Sequence, residues 1–177
     1  DIPEPANGLE LIAKSYTANS PIDSTAWFLY TVDLMRQRFF TLKDFSSQGR
    51  AYFSEDFDFD PAAIAKNLTK FPELKEWMPE LADRFEAEFA ASSPPYEGGV
   101  DAALGGRGGS LPFSEPNIET VVKAFTEEKG TKLGVIMNGA RTLLTGVAVG
   151  PSMLSVFEVI GLERTLMRLR SQVAWNL

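Results

Sequence analysis

The sequence predicts an all-α fold, and three observations carry that reading. Apolar residues recur at three- and four-residue spacing along most of the 177-residue chain, the period of a helix with one buried face. Cap residues followed by proline or by an apolar run mark several helix starts. The alternating runs that would mark strands are nearly absent. With 44% hydrophobic and 11% aromatic residues, the chain has the material for a sizeable core without covalent staples. Its length suits one ordinary domain, or two small subdomains sharing an interface.

Taken in order, Asp23 or Ser24 caps a first helix whose Trp27, Phe28, Tyr30, Val32, Leu34 and Met35 form a broad apolar stripe. A second, short helix is expected from Thr41 towards Phe53. At Asp60-Pro61 a cap and a proline at the first helical position precede Ala62-Ala63-Ile64, a clear helix start. Pro72 opens the next helix, with Leu74, Trp77, Met78, Leu81 and Phe85 on its buried side. Pro79 is expected to kink or split that helix, because proline lacks the N–H and crowds the preceding turn. Residues 91–116 then change character. Pro94-Pro95, Gly98-Gly99 and Gly105-Gly106-Arg107-Gly108-Gly109 predict a long, mobile surface loop that the fold does not need. Those glycines make no phosphate cradle, since the Walker spacing with Lys-Ser or Lys-Thr is missing.

Order resumes with Pro116 at a helix start, followed by Ile118, Val121, Val122 and Phe125, and Gly130 is a good stop. Leu133 to Leu144 is predicted helical in part despite Gly134 and Gly139. Gly150-Pro151-Ser152 breaks the chain, and Ser152 caps a helix that ends near Gly161. The last helix sets Leu162, Leu166, Leu169 and Val173 on one side, with Arg164, Arg168 and Arg170 more exposed.

Composition excludes several chemistries. The chain has no cysteine, which removes disulfides and thiolate metal sites. It has no histidine, so Ser/His/Asp and Cys/His catalysis cannot be built and the commonest zinc ligand is missing. The acids from Glu55 to Asp60 lack the glycine and terminal glutamate of a calcium loop. Neither a catalytic residue nor a metal site is expected. The chain opens Asp1-Ile2-Pro3-Glu4-Pro5, which predicts an excised piece and not a secretory precursor. No window approaches the roughly 18 apolar residues of a membrane span, and a soluble, cytoplasmic, monomeric protein is expected.

The net charge of −7 speaks against nucleic-acid binding, which normally rests on a basic footprint. The sign is unevenly spread, however. Residues 55–88 hold ten acids against four bases, whereas 129–177 hold six bases against two acids. An acidic chain with a basic C-terminal third is able to present one positive face.

Specific motifs then appear. Met35-Arg36-Gln37-Arg38-Phe39 continues as Thr41-Leu42-Lys43-Asp44-Phe45, and Phe53-Ser54-Glu55-Asp56-Phe57 follows. Further on stand Glu128-Lys129-Gly130-Thr131-Lys132-Leu133-Gly134, Arg141-Thr142-Leu143-Leu144-Thr145-Gly146, Pro151 and Gly161-Leu162-Glu163-Arg164. In this order and spacing the fragments resemble the bacterial glutamyl-tRNA synthetases, over nearly the whole chain except 91–116. The chain departs from that pattern at Gly139-Ala140, where the family has Pro-Leu, and at Leu143, where it has alanine.

The resemblance implies the family's anticodon-binding half, a cage of helices in two subdomains, divided here as 1–50 and 51–177. It implies a tRNA partner accepting glutamate, and no DNA. ATP and Mg2+ would serve the parent ligase, with no cofactor for these residues, because the family's ATP signatures are absent from the sequence. It assigns Arg38 to the third anticodon base and Arg141 to the first. It also sets the backbone of Gly150 and Pro151 and the side chain of Met153 against the first two bases. Some family members carry threonine at the position of Gly150 and leucine at that of Met153. Arginine suits such reading, since its planar fork donates in fixed directions and keeps its charge. Arg36, Arg164 and Arg168 are candidates for phosphate attraction.

A rival of another class is an all-helical protein-docking module with no RNA role, which the acidic composition would suit. Salt separates the two readings, because phosphate contacts give an affinity that falls steeply with ionic strength. The absence of nucleotide-binding signatures and of histidine predicts that these 177 residues are catalytically inert. Glutamate-dependent ATP–pyrophosphate exchange by the isolated chain should be undetectable, and any exchange above background contradicts the reading.

Overall fold

In a computed structural model, residues 24–36, 38–39, 41–89 and 111–177 are described. Among them the secondary structure is helical throughout, with no strand. The helices are α1 (Ser24–Arg36), α2 (Leu42–Ser46), α3 (Arg50–Phe53), α4 (Pro61–Ile64), α5 (Leu74–Phe89), α6 (Glu115–Glu128), α7 (Leu133–Thr145), α8 (Met153–Ile160) and α9 (Leu162–Arg170). A π-helical turn, Ala65–Thr69, extends α4, and a 3-10 turn, Val173–Trp175, follows α9.

The core forms where the predicted apolar stripes meet. α9 lies along α5 in the most extensive contact, and α6, α7 and α8 pack around that pair. Phe85 sits at the centre, its ring edge-on to Phe157 of α8 at 5.4 Å between centroids. The burial of Leu74, Met78, Leu81, Phe85 and Phe89 anchors α5 strongly enough for the helix to run through Pro79 without interruption. Each such side chain contributes roughly 1.5–3 kcal/mol, which offsets the local cost of the proline. Ion pairs tie the outer face: Lys129 with Glu80, Arg84 with Glu128 at 2.6 Å, and Arg170 with Asp83 and Glu86.

Local signals set the ends of elements. Asp60 accepts the Ala62 N–H at 2.9 Å with Pro61 beginning α4. Gly130 follows α6 with φ +61°. Gly139 of α7 faces Leu74 so closely that a Cβ would lie 2.7 Å from its Cδ1. This glycine allows α7 to approach α5, and α7 runs as one helix from Leu133 to Thr145. Gly146, at φ +73°, ends α7, and its carbonyl accepts the Asp60 N–H at 2.8 Å.

Several expectations are corrected. The single helix from Thr41 to Phe53 is two short helices, because the Thr41–Asp44 capping box starts α2 and the Ser47 hydroxyl caps the Lys43 carbonyl at 2.9 Å. A turn through Gly49 then leads into α3. In α1, Trp27 and Met35 are buried but Tyr30 is 42% exposed, while the small Thr31 occupies the buried face and donates to the Trp27 carbonyl at 2.7 Å. The α1 cap expected at Asp23 lies outside the described residues, as does 91–110 of the expected loop. Residues 111–116 of that loop belong to the fold. Phe113 packs edge-on against Phe85 and Phe89, and the Leu111 N–H bonds the Glu88 carbonyl. Val173, expected on the buried side of the last helix, is exposed, because the chain leaves α9 after Arg170.

The largest correction concerns Arg168, which is buried at 4% exposure. Its guanidinium donates to the carbonyls of Ala51 at 2.8 Å, Leu144 at 2.6 Å and Ser54 at 3.0 Å, and to Glu55 at 3.1 Å. It stacks over the Phe57 ring at 4.6 Å. Arg164 reinforces the clamp through Glu55 and the carbonyls of Tyr52 and Ala51. Burial acts to raise the Glu55 pKa, but the Arg168 hydrogen bond and the Arg164 and Arg168 charges outweigh it and hold the carboxyl below its ordinary value.

Arg168→Ala should therefore leave several acceptors unpaired and destabilise the fold by about 3 kcal/mol, read as a shift in the denaturation midpoint. Because its folded pKa is lowered, the stability from Glu55 is present above the ordinary carboxylate range and fades as pH falls through the folded value. The stability gap between wild type and Glu55→Gln should thus shrink in acid. A gap that stays constant down to pH of about 3 would show that the pairing does not carry it.

Candidate functional site

Arg141 projects from the last turns of α7, half-buried, at the point where α7 hands over to the segment 146–152. Gly146 turns the chain back so that this segment passes beside the helix it has just left. Arg141 Nη2 donates to the Pro151 carbonyl at 2.7 Å. Its Nη1 is buried with no hydrogen-bond partner. A Cβ added to Gly150 would lie 2.8 Å from Nη1 and 3.9 Å from the Tyr52 hydroxyl. The guanidinium therefore occupies room that only glycine leaves at this position.

Tyr52 lines the far side of that room from α3, where it is 2% exposed. Burial pushes its phenol up to about 12, with the Arg141 charge opposing, so it remains a neutral hydroxyl near neutrality. Burial also lowers the Arg141 pKa from its ordinary value; Tyr52 acts to raise it and Arg38 lowers it further. The last effect places the Arg38 charge within electrostatic reach of Arg141. Arg38 itself is exposed in the turn after α1, its backbone N–H bonded to the Met35 carbonyl at 2.8 Å.

The structure thus brings together Arg141, Gly150 and Pro151 from the predicted set, with Arg38 linked to them only through its charge acting on Arg141, and adds Tyr52, which the sequence alone does not single out. Nothing in the spacing ties position 52 to position 141; only the fold does. Met153 begins α8 and is 6% exposed, packed within the core, so its side chain shapes the segment from beneath. Pro151 is buried as well, and Val149 is the apolar side chain this segment exposes, at 65%. The candidate phosphate contacts fare differently. Arg164 and Arg168 are turned into the chain's own carbonyls and Glu55, as described above, and do not face outward to meet a phosphate. Arg36 is exposed and paired with Asp33 on the same helix.

Chemically, the site offers two planar cations, one backbone carbonyl and a glycine edge. Such a set suits unpaired bases, whose edges present carbonyl oxygens and ring nitrogens to a guanidinium. Among the described residues there is no cluster of acids or other ligands able to hold a metal ion, and no helix is long and apolar enough to cross a membrane.

Comparison with known proteins bears on the chain as a whole. A family model described as "Anticodon binding domain" matches residues 9–97 and 107–173. The glutamate–tRNA ligase of Desulfotalea psychrophila is 40% identical over 144 residues, covering 81% of this chain and 25% of that protein. The glutamate–tRNA ligase of Thermus thermophilus is 30% identical over 152 residues, covering 86% of this chain and 27% of that protein. The chain therefore spans about a quarter of the length of these curated relatives. A crystal structure of a glutamate tRNA ligase from Elizabethkingia meningosepticum, in complex with its amino acid, superposes with a TM-score of 0.61 at 24% identity. That superposition covers 92% of this chain and 27% of the other, and shares the fold.

Proposed function

This chain belongs to the anticodon binding domain family, and on that premise we propose that it holds the anticodon loop of a glutamate-accepting tRNA for a glutamate–tRNA ligase. In this reading the glutamylation, with its ATP and Mg2+, takes place elsewhere in the parent protein, in the cytoplasm. The division into two helical subdomains near residue 50 belongs to the same proposal.

The observation that supports the reading best is Arg141 held beside the carbonyl of Pro151 and the Cβ-free face of Gly150, with the Arg38 charge acting on it. Arg38 is assigned the third anticodon base, which is cytosine for glutamate and guanine for glutamine. Cytosine offers O2 and N3 as acceptors on its pairing edge, and one guanidinium is able to donate to both. Guanine presents N1 and N2 donors there, so the same arginine would face donors with donors. Arg141 is assigned the first base, cytosine or uracil, which share the O2 acceptor. A contact there holds the loop without choosing between them. Met153 supports this edge through the core, and Gly150 and Pro151 supply backbone.

Losing one base contact of this kind costs about 1–3 kcal/mol, by analogy with arginine readout of base edges in duplexes. The test measures binding of glutamate and glutamine tRNAs to the full chain at several salt concentrations. Arg38→Gln should narrow the gap between the two tRNAs, and Arg141→Gln should weaken both. Equal losses on both tRNAs from Arg38→Gln would assign it to phosphate. No tRNA affinity even at low salt would favour a protein-docking module instead.

A further inference from the structure

The groups assigned to RNA are, in the free chain, bonded to each other. Arg141 Nη2 is occupied by the Pro151 carbonyl at 2.7 Å, and that carbonyl is occupied by Arg141. The second guanidinium nitrogen, Nη1, gains nothing from this position: it is buried and unpartnered. A buried N–H without an acceptor is costly, since it has given up water without replacement. The like charge of Arg38 within reach also works against holding Arg141 there. What permits the arrangement is the missing Cβ of Gly150, with Tyr52 closing the other side.

We propose that Gly150 and Tyr52 form a seat that holds Arg141 folded back on the Pro151 carbonyl in the free protein, and that RNA binding draws it out. The proposal rests on the anticodon-loop reading of this site. Leaving the seat breaks one hydrogen bond and relieves one unsatisfied donor. It frees Nη2 and Nη1 for acceptors on an unpaired base and frees the Pro151 carbonyl for a base N–H. Arg38 and Arg141 then meet an anionic partner that offsets their mutual repulsion. Gly150 is in this view a positioning residue: it sets the fraction of molecules whose Arg141 is ready, and the apparent affinity scales with that fraction.

The consequence runs opposite to what loss of a contact residue would produce. In Gly150→Ala the new Cβ falls 2.8 Å from Nη1, and the neighbour that must yield is the end of a flexible side chain, not backbone. The guanidinium should be evicted while the fold stays intact. Glutamate tRNA should then bind the full chain more tightly, by roughly threefold to tenfold, the net worth of one hydrogen bond. The melting temperature should be essentially unchanged, and Gly150→Ser should act in the same direction. In an Arg141→Gln background the effect of Gly150→Ala should vanish, because the evicted group is gone.

Unchanged or weaker binding in Gly150→Ala, with Arg141→Gln still weakening, would overturn the seat and leave the anticodon site standing. Weakening by Gly150→Ala that persists in the Arg141→Gln background would do the same and mark a direct backbone contact at 150. If neither Arg141→Gln nor Gly150→Ala alters tRNA binding, the seat falls together with the site it rests on.

Discussion

A buried cation holds the geometry of this molecule. Arg168 inserts its guanidinium between the carbonyls that end α3, the carbonyl of Leu144 at the end of α7, and Glu55. Helix ends leave carbonyls without partners in the helix, and the planar fork of arginine has donors enough for several of them at once. Burying such a charge is tolerable only when it is both hydrogen-bonded and paired, and the half-exposed Glu55 supplies the pairing. The bond that costs most to desolvate is therefore also the one that fixes where α3 and α7 stand relative to each other.

That fixing is what builds the site. Tyr52 sits on α3, one residue from Ala51, whose carbonyl Arg168 holds. Arg141 sits on α7, one turn before Leu144, whose carbonyl Arg168 also holds. Tyr52 and Arg141 face each other across Gly150 because a third residue, 27 positions beyond Arg141 in the sequence, clamps both of their helices. Gly146 contributes the reversal that returns residues 150 and 151 to the side of Arg141. The hydrogen bond between Arg141 and Pro151 then closes a small ring of contacts at the surface end of this assembly.

Much of the fold was legible in the sequence because helices announce themselves locally. The Asp60-Pro61 start, the Gly130 stop, and the stripe of Leu74, Met78, Leu81 and Phe85 depend on neighbours within one or two turns. The candidate arginines Arg38 and Arg141 were singled out through motif resemblance, and Arg141 also through its setting after an apolar run. What failed to show depends on distant partners. The last helix reads as an amphipathic stripe with arginines outside, yet Arg168 turns inward, since its acceptors lie 24 to 117 residues away. Periodicity has no way to register carbonyl groups left over at the ends of other helices. Phe113 was hidden in a glycine- and proline-rich stretch for the same reason: its partners Phe85 and Phe89 belong to another helix. Pro79 shows the converse, a local breaker overridden by the burial of the residues around it.

The charge distribution takes on a different meaning once these contacts are known. The basic C-terminal third and the acidic stretch 55–88 are not separate faces. Lys129 pairs with Glu80, Arg164 and Arg168 with Glu55, and Arg170 with Asp83 and Glu86. Four of the six bases beyond residue 128 are thus engaged by acids of the stretch 55–88. The three arginines of α9 hold it on α5 and on the end of α3, Lys129 ties the end of α6 to α5, and all four add little to the field seen from outside. Arg141 stands apart from them, its guanidinium donating to a neutral backbone carbonyl. A carboxylate partner would have fixed its guanidinium more firmly than a carbonyl does, because it adds an opposite charge and a bidentate geometry to the hydrogen bond. A cation bound to a carbonyl is held in place yet remains open to exchange for an acceptor that also brings negative charge. A net charge of −7 is compatible with the RNA reading proposed above, since that reading asks for two positioned arginines and not for a broad basic surface.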